Sequence, residues 1–221
     1  MASIKAKDFA MDTDQQFVAA QQIDPDQAGQ IIRQLGSIAA DYHLASGPIA
    51  DRLMSEITST VIKSAIEPWV ASEANGSVVL VTPEWKMTKG VGGIGDAWLE
   101  LSEITTDDYD HSWLEAALKA SGTLMCIELK FRAGLADAAT AVARDDKAMA
   151  GLFKLNWARD EQDARIFLPV DIEAEAVAQA FAQNDFDEAL APITRTVTAA
   201  MASKADLDAL INKVRELAKR K

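Results

Sequence analysis

The segment from Leu124 to Arg132 constrains the fold more than any other, because apolar and polar residues alternate along it. The apolar members of the alternation are Ile127, Leu129 and Phe131, and the polar members are Glu128, Lys130 and Arg132. A period of two places successive side chains on opposite faces of a β-strand. The segment therefore predicts a strand that turns one face toward a hydrophobic core.

Three further segments have strand-like composition, and they cover residues 78–85, 96–104 and 165–171. Two helices are predicted before them, at residues 24–43 and 46–67, because each begins with a capping residue and a proline and then carries an apolar stripe. Shorter helical patterns cover residues 112–120 and 135–155, and everything from Glu173 onward is helical in pattern. The element order is therefore helices, three strands, helix, strand, helices.

This order predicts an α/β or α+β fold with a central sheet of about four strands, two preceding helices and a helical C-terminal region. We expect a single domain over residues 1–221, with an N-terminal arm at 1–23, an α/β core at 24–172 and a helical extension at 173–221. The apolar stripe of the last helix predicts that this helix packs on the core of its own chain.

The formal net charge of −12 argues against broad electrostatic binding to nucleic acid, which requires clustered lysine and arginine. The single cysteine, Cys126, excludes an internal disulfide, and its place in an apolar strand predicts a buried, unreactive thiol. No apolar run approaches the roughly 20 residues of a membrane span, and the N-terminus has no secretory pattern. We therefore expect a cytoplasmic protein with no membrane contact.

A glycine-rich segment and two histidines resemble functional motifs, but their sequence context does not predict a dinucleotide site or a zinc site. Residues 90–95 match G-x-G-x-x-G, but a strand follows them where a dinucleotide site requires a helix, so a hairpin loop is predicted. The two histidines, His43 and His111, have no zinc-ligand spacing, and one cysteine cannot complete such a site.

One constellation of charged residues has catalytic chemistry. Asp96 enters the second predicted strand, and Glu128 and Lys130 stand two apart on the third. In order and chemistry this resembles the PD-(D/E)XK nuclease superfamily, whose core runs helix, three strands, helix, strand. The resemblance covers residues 50–171 in topology and three residues in motif.

The resemblance implies a metal-dependent nuclease with Asp96, Glu128 and Lys130 as catalytic residues. Asp96 and Glu128 would hold a Mg²⁺ that lowers the pKa of its bound water. Lys130 would orient that water or stabilise developing charge, and Glu56 on the preceding helix would complete the site. A local basic groove would then form from Lys86, Lys89, Lys130 and Arg132.

The same polar strand face supports a second interpretation. On an antiparallel sheet with one wet side, Glu100, Glu128, Lys130 and Arg132 form cross-strand ion pairs. Under it we expect a non-enzymatic protein without a cofactor, which acts by binding a protein partner or itself. Nucleic acid is a partner, and Mg²⁺ a cofactor, only under the nuclease hypothesis.

Overall fold

The computed structural model describes residues 25–74, 76–85, 95–105, 113–119 and 123–220. The predicted N-terminal arm, most of the glycine-rich segment 90–95, Lys86, Lys89 and His111 lie outside these ranges.

The centre of the fold is one antiparallel sheet of six strands in the order β1-β2-β3-β4-β6-β5. The strands are β1 (Val70–Ala74), β2 (Ser77–Val81), β3 (Ala97–Thr105), β4 (Thr123–Phe131), β5 (Ala158–Arg159) and β6 (Ile166–Pro169). The longest pairing joins β3 to β4 over nine residue pairs, from Ala97 opposite Phe131 to Thr105 opposite Thr123. The segment with the clearest alternation therefore lies next to the centre of the sheet.

The mixed α/β class is confirmed, but the expectation of about four strands was wrong. The two additional strands, β1 and β5, lie at the two edges of the sheet. β1 has the sequence Val-Ala-Ser-Glu-Ala and only one large apolar residue, and β5 is two residues long. An edge strand of this kind contacts the core weakly, so no apolar alternation marks it.

The N-terminal helices differ from the prediction at their junction. α1 (Pro25–Leu44) continues through a π-helical turn (Ala45–Ile49) into α2 (Ala50–Ser64) without a break. The predicted separate start at residue 46 relied on Pro48, which lacks a backbone N–H. The wider π-helical turn accommodates Pro48 within the helical path, and Ala50 donates backbone hydrogen bonds beyond it to Ala45 and Gly47.

The remaining helices surround the later strands. They are α3 (Trp113–Ala117), α4 (Ala136–Ala143), α5 (Asp146–Lys154), α6 (Ala174–Gln183), α7 (Ala191–Ala202) and α8 (Lys204–Ala218), with 3₁₀ turns at Pro83–Trp85 and Ala133–Leu135. The single helix predicted over residues 135–155 is two helices, because the Asp145 carboxylate accepts the backbone N–H of Lys147 and starts α5 anew.

The hydrophobic core lies between one face of the sheet and the helices α2, α7 and α8. Its fully buried members include Leu53, Ile57, Leu80, Leu99, Ile127, Ile193 and Leu207. The predicted packing of the last helix on the core is confirmed, since Leu207, Leu210, Ile211 and Val214 of α8 are all buried there. Among the described helices, none combines the length and the apolar character of a membrane span.

The other face of the sheet is mostly polar and carries a small apolar cluster of Ile104, Cys126 and Phe167. The predicted burial of Cys126 is confirmed, since its side chain has no exposed surface. Burial strongly raises the pKa of this thiol and keeps it protonated.

Candidate functional site

The register of β3 and β4 places Glu128 and Lys130 on the polar face of the sheet, whereas Asp96 lies just before the first residue of β3. Glu128 lies directly opposite Glu100, and Lys130 lies opposite Trp98. Asp96 immediately precedes β3, four residues before Glu100. At about 3.4 Å per residue, Asp96 is about 14 Å along the strand from the position opposite Glu128.

Glu128 is almost fully buried although it bears a charge. Both oxygens of its carboxylate accept hydrogen bonds from Arg165, with a 3.0 Å bond from Nε to Oε1 and a second bond from Nη2 to Oε2. The ammonium of Lys130 lies 2.9 Å from Oε2. Arg165 also donates from Nη2 to the Ser102 hydroxyl and to the Glu103 carbonyl, so its guanidinium contacts both β3 and β4.

The protonation of Glu128 is determined by these contacts. Burial alone raises the pKa of this carboxyl group, but the hydrogen bonds and charges of Arg165 and Lys130 outweigh it and hold the pKa below its ordinary value. The bond to Glu128 in turn raises the pKa of Arg165. At neutral pH the three groups therefore form a charged network in which both oxygens of the carboxylate already have donors.

Asp96 is held in a separate network. Its Oδ1 accepts from Arg132 Nε at 2.7 Å, and its Oδ2 accepts from Arg215 Nε of α8 at 3.0 Å. Gly95 positions it, because a Cβ at Gly95 would lie 2.7 Å from the Trp85 carbonyl oxygen and only glycine permits that approach.

The arrangement does not fit a Mg²⁺ shared between Asp96 and Glu128. Two carboxylates that share this ion approach it within about 2.1 Å each, whereas these two are separated along the strand and are occupied by arginines. Glu56, the third candidate acid, pairs with Arg52 on its own helix at 2.7 Å. Within the described ranges, no group of three histidine, cysteine or acidic side chains is placed to hold a metal. The nuclease hypothesis stays a prediction without support from this geometry.

The sequence interpretation missed two residues of these networks, Arg165 and Arg215, and a cation beside the second network, Lys219. Arg165 was assigned to a strand, but nothing in its local pattern shows that it reaches Glu128. Arg215 stands 119 residues from Asp96, so only the docking of α8 brings the two together. Their one sequence signal is indirect: each charged residue lies next to an apolar stripe that packs on the core.

Arg132, Arg215 and Lys219 line a cleft at the start of β3 that we call the α8 cleft. Its lining residues are Glu84, Asp96, Arg132, Gly134, Leu135, Arg215, Ala218 and Lys219, and its volume is about 490 Å³. The cleft is therefore bounded by the start of β3, the turn after β4 and the last turn of α8.

A second candidate surface lies on α1, away from the sheet. Every residue from Gln30 to Leu44 is exposed. We call its large apolar residues the α1 stripe: Ile31, Ile32, Leu35, Ile38 and Tyr42, whose exposed fractions lie between 43% and 71%. The stripe predicted from the sequence is thus present, but it does not enter the core.

Comparisons with known proteins add no assignment to these two surfaces. A scan against protein-family models, a search of curated proteins and a search of solved structures each found no match. The role of each surface therefore has to be inferred from the geometry of the chain itself.

Proposed function

We propose that this protein is a non-enzymatic binding protein that associates with a second copy of itself through the α1 stripe. The observation that carries the proposal is the exposure of five large apolar side chains along one helix. Contiguous apolar surface of this extent on an otherwise charged chain marks an interaction site more often than an ordinary surface.

The spacing of the stripe suits the packing of one helix against another. Ile31, Leu35, Ile38 and Tyr42 succeed one another at intervals of four, three and four residues. This is the repeat of an apolar seam between two helices, in which each side chain inserts between residues of the facing helix. The seam covers about two heptads.

The charges of α1 favour a second copy over a partner of different chemistry. At about 100° per residue, Arg33 lies about 160° around the helix from Leu35, whereas Asp41 lies about 60° beyond Ile38, at one margin of the stripe. The positions that border the stripe include Gln34 and Gly36, which carry no charge. Two stripes can therefore meet in an antiparallel pair, which places the two Asp41 carboxylates at opposite ends of the seam, even though each chain has a net charge of −12.

The size of the stripe indicates a reversible dimer. Burying each half-exposed side chain contributes about 1 kcal/mol, which gives on the order of 10 kcal/mol across two copies. Loss of free motion on association costs about 4–15 kcal/mol, so the surplus is small. We therefore expect the dimer to dissociate on dilution.

The test is sedimentation equilibrium over a range of concentrations, on the wild type and on a Leu35→Lys/Ile38→Lys variant. We expect the wild type to approach a dimer mass as concentration rises and the variant to remain monomeric, because two ammonium groups would be buried in the seam. The helix itself should persist, since lysine has a high helix propensity.

Leu44→Lys provides the matched control. Leu44 is also an exposed apolar residue of α1, but it lies about 180° around the helix from Leu35. We expect this variant to dimerise like the wild type. A wild-type chain that is monomeric at every concentration, or a control that dissociates as completely as the stripe variant, would exclude the proposed seam and direct the search to a different protein partner.

A further inference from the structure

We propose that the α8 cleft binds the phosphate group of a small phosphorylated molecule, because three cationic side chains converge there and one carboxylate holds two of them in place. The site is independent of the α1 stripe. It lies between the start of β3 and the last turn of α8, and none of its lining residues belongs to α1.

The size and charge of the cleft fit such a ligand. Its volume of about 490 Å³ lies within the roughly 300–1,000 Å³ of small-molecule sites. Arg132, Arg215 and Lys219 line it, together with two carboxylates, Asp96 and Glu84. The cleft is thus locally positive in a chain whose net charge is −12, and such local charge attracts an anion.

Asp96 organises the two guanidinium groups for binding. It accepts one hydrogen bond from the Nε of Arg132 and one from the Nε of Arg215. The Nη2 of Arg215 also donates to the Glu84 carbonyl at 3.3 Å. The Nη groups of Arg132 have no protein acceptor within the described ranges, so they remain available to phosphate oxygens, which the planar guanidinium binds well.

The presence of Lys219 distinguishes this cleft from a network that serves only to hold the structure together. A network that only fastened α8 to the sheet would be complete with Asp96 and the two arginines. Lys219 adds a further cation to the cleft lining, and in the described part of the chain it forms no ion pair. The carboxylate of Glu84, which also borders the cleft, faces Lys204 at 3.6 Å.

Gly134 leaves the space that Arg132 occupies. A Cβ at this position would lie 2.8 Å from Arg132 Nη1, which is closer than such atoms approach. Any other residue at 134 would therefore move the guanidinium. The absence of a side chain keeps Arg132 at the wall of the cleft, where it can contact a ligand.

The test is an NMR titration of the ¹⁵N-labelled protein with inorganic phosphate and with pyrophosphate at constant ionic strength. We expect saturable shifts of the backbone amides of Gly134, Leu135 and Ala218, which line the cleft. Lys219→Gln should weaken the affinity roughly tenfold, as expected for loss of one charge-assisted hydrogen bond.

Lys213→Gln is the control, because it removes the same charge from an exposed position of the same helix outside the cleft. We expect its affinity to equal that of the wild type. The proposal is overturned by a wild type that shows no saturation up to millimolar phosphate, by shifts centred elsewhere, or by equal losses in the two variants, which would indicate diffuse electrostatic attraction. Repeating the titration on Leu35→Lys/Ile38→Lys separates this result from that of the proposed dimer.

Discussion

Glu128 carries its charge inside the sheet because its neighbours supply a full set of donors. Its carboxylate lies directly opposite Glu100, a placement in which two like charges repel across the strands. Arg165 and Lys130 neutralise Glu128, while the indole of Trp98 donates to Glu100 Oε2 at 2.7 Å. Removing one partner from such a pair leaves a buried charge uncompensated, which costs more than the intact pair contributes.

This network predicts a specific dependence of stability on pH. The pKa of Glu128 in the folded chain is lower than the ordinary 4.5, so near that pH the unfolded chain binds more protons than the folded chain. The stability contributed by ionised Glu128 is therefore complete above pH 4.5 and is lost as the pH falls through the lowered, folded-state pKa. Urea unfolding should show Glu128→Gln less stable than the wild type at neutral pH, with the difference shrinking below about pH 4.5.

The matched variant for that measurement is Arg165→Met, which retains the carboxylate and removes its main partner. We expect a loss of about 3 kcal/mol at neutral pH and a partial recovery in acid, where Glu128 becomes protonated. A wild-type advantage over Glu128→Gln that stays constant from neutral to acidic pH would show that the charge of Glu128 is not what stabilises the sheet.

At the scale of elements, the sequence predicted strands and helices correctly wherever a long apolar pattern faces the core. The β4 alternation, the stripe of Leu53, Ile57 and Val61, and the docking of α8 are all present. The sequence was insufficient for elements whose position depends on tertiary contacts that the local pattern does not record. The edge strands β1 and β5 are defined by pairing with a neighbour and not by burial, and the α1 stripe has the same period as a buried one.

The candidate site was predictable only in part, for a related reason. The sequence correctly indicated that Glu128 and Lys130 share a strand face, because alternation determines the face. It could not indicate that Asp96 is turned toward Arg215, since that contact depends on how α8 crosses the end of the sheet. Charge partners separated by more than a hundred residues leave no periodic trace in a single sequence.

The junction between α7 and α8 offers a test of how the C-terminal helices are attached. Buried Ser203 at this junction accepts a 2.9 Å hydrogen bond from the indole Nε1 of buried Trp157. Ser203→Ala leaves that indole N–H unpaired, and we expect a loss of about 1–3 kcal/mol in the free energy of unfolding. Chemical denaturation of Ser203→Ala, Trp157→Phe and the double variant measures the coupling, which we expect at about 0.5–3 kcal/mol. Additive losses would show that the bond contributes nothing beyond packing.

For the whole molecule, the two faces of the sheet have different roles. One face and the helices α2, α7 and α8 form the core, whereas the charged networks of Glu128 and Asp96 lie outside it. The two proposed binding surfaces include neither the core nor the Glu128 network. They lie at the α1 stripe and the α8 cleft, so each can be removed by surface substitutions that leave the sheet intact.

The nuclease hypothesis is tested on the whole protein by thermal melting with Mg²⁺ against NaCl of equal ionic strength. Because arginines occupy both carboxylates, we expect no Mg²⁺-specific rise in Tm. A metal bound in the native state would raise Tm with its occupancy. A saturable rise that disappears in Asp96→Asn/Glu128→Gln but persists in a control at the exposed, uninvolved Glu161 (Glu161→Gln) would revive the hypothesis and justify assays of DNA and RNA cleavage.

The helix is continuous from Pro25 through the π-helical turn to Ser64. The orientation of the apolar side chains of α1 relative to the sheet is therefore fixed by the packing of α2. Leu53, Ile57 and Val61 anchor α2 in the core, whereas Gln30 to Leu44 of α1 are exposed. Each residue inserted or deleted between α1 and α2 would rotate α1 about the helix axis by about 100°, whereas seven together would leave it only about 20° from its original orientation. The number of residues between α2 and the α1 stripe thus determines the angle between the two sheets in any assembly that is joined through α1.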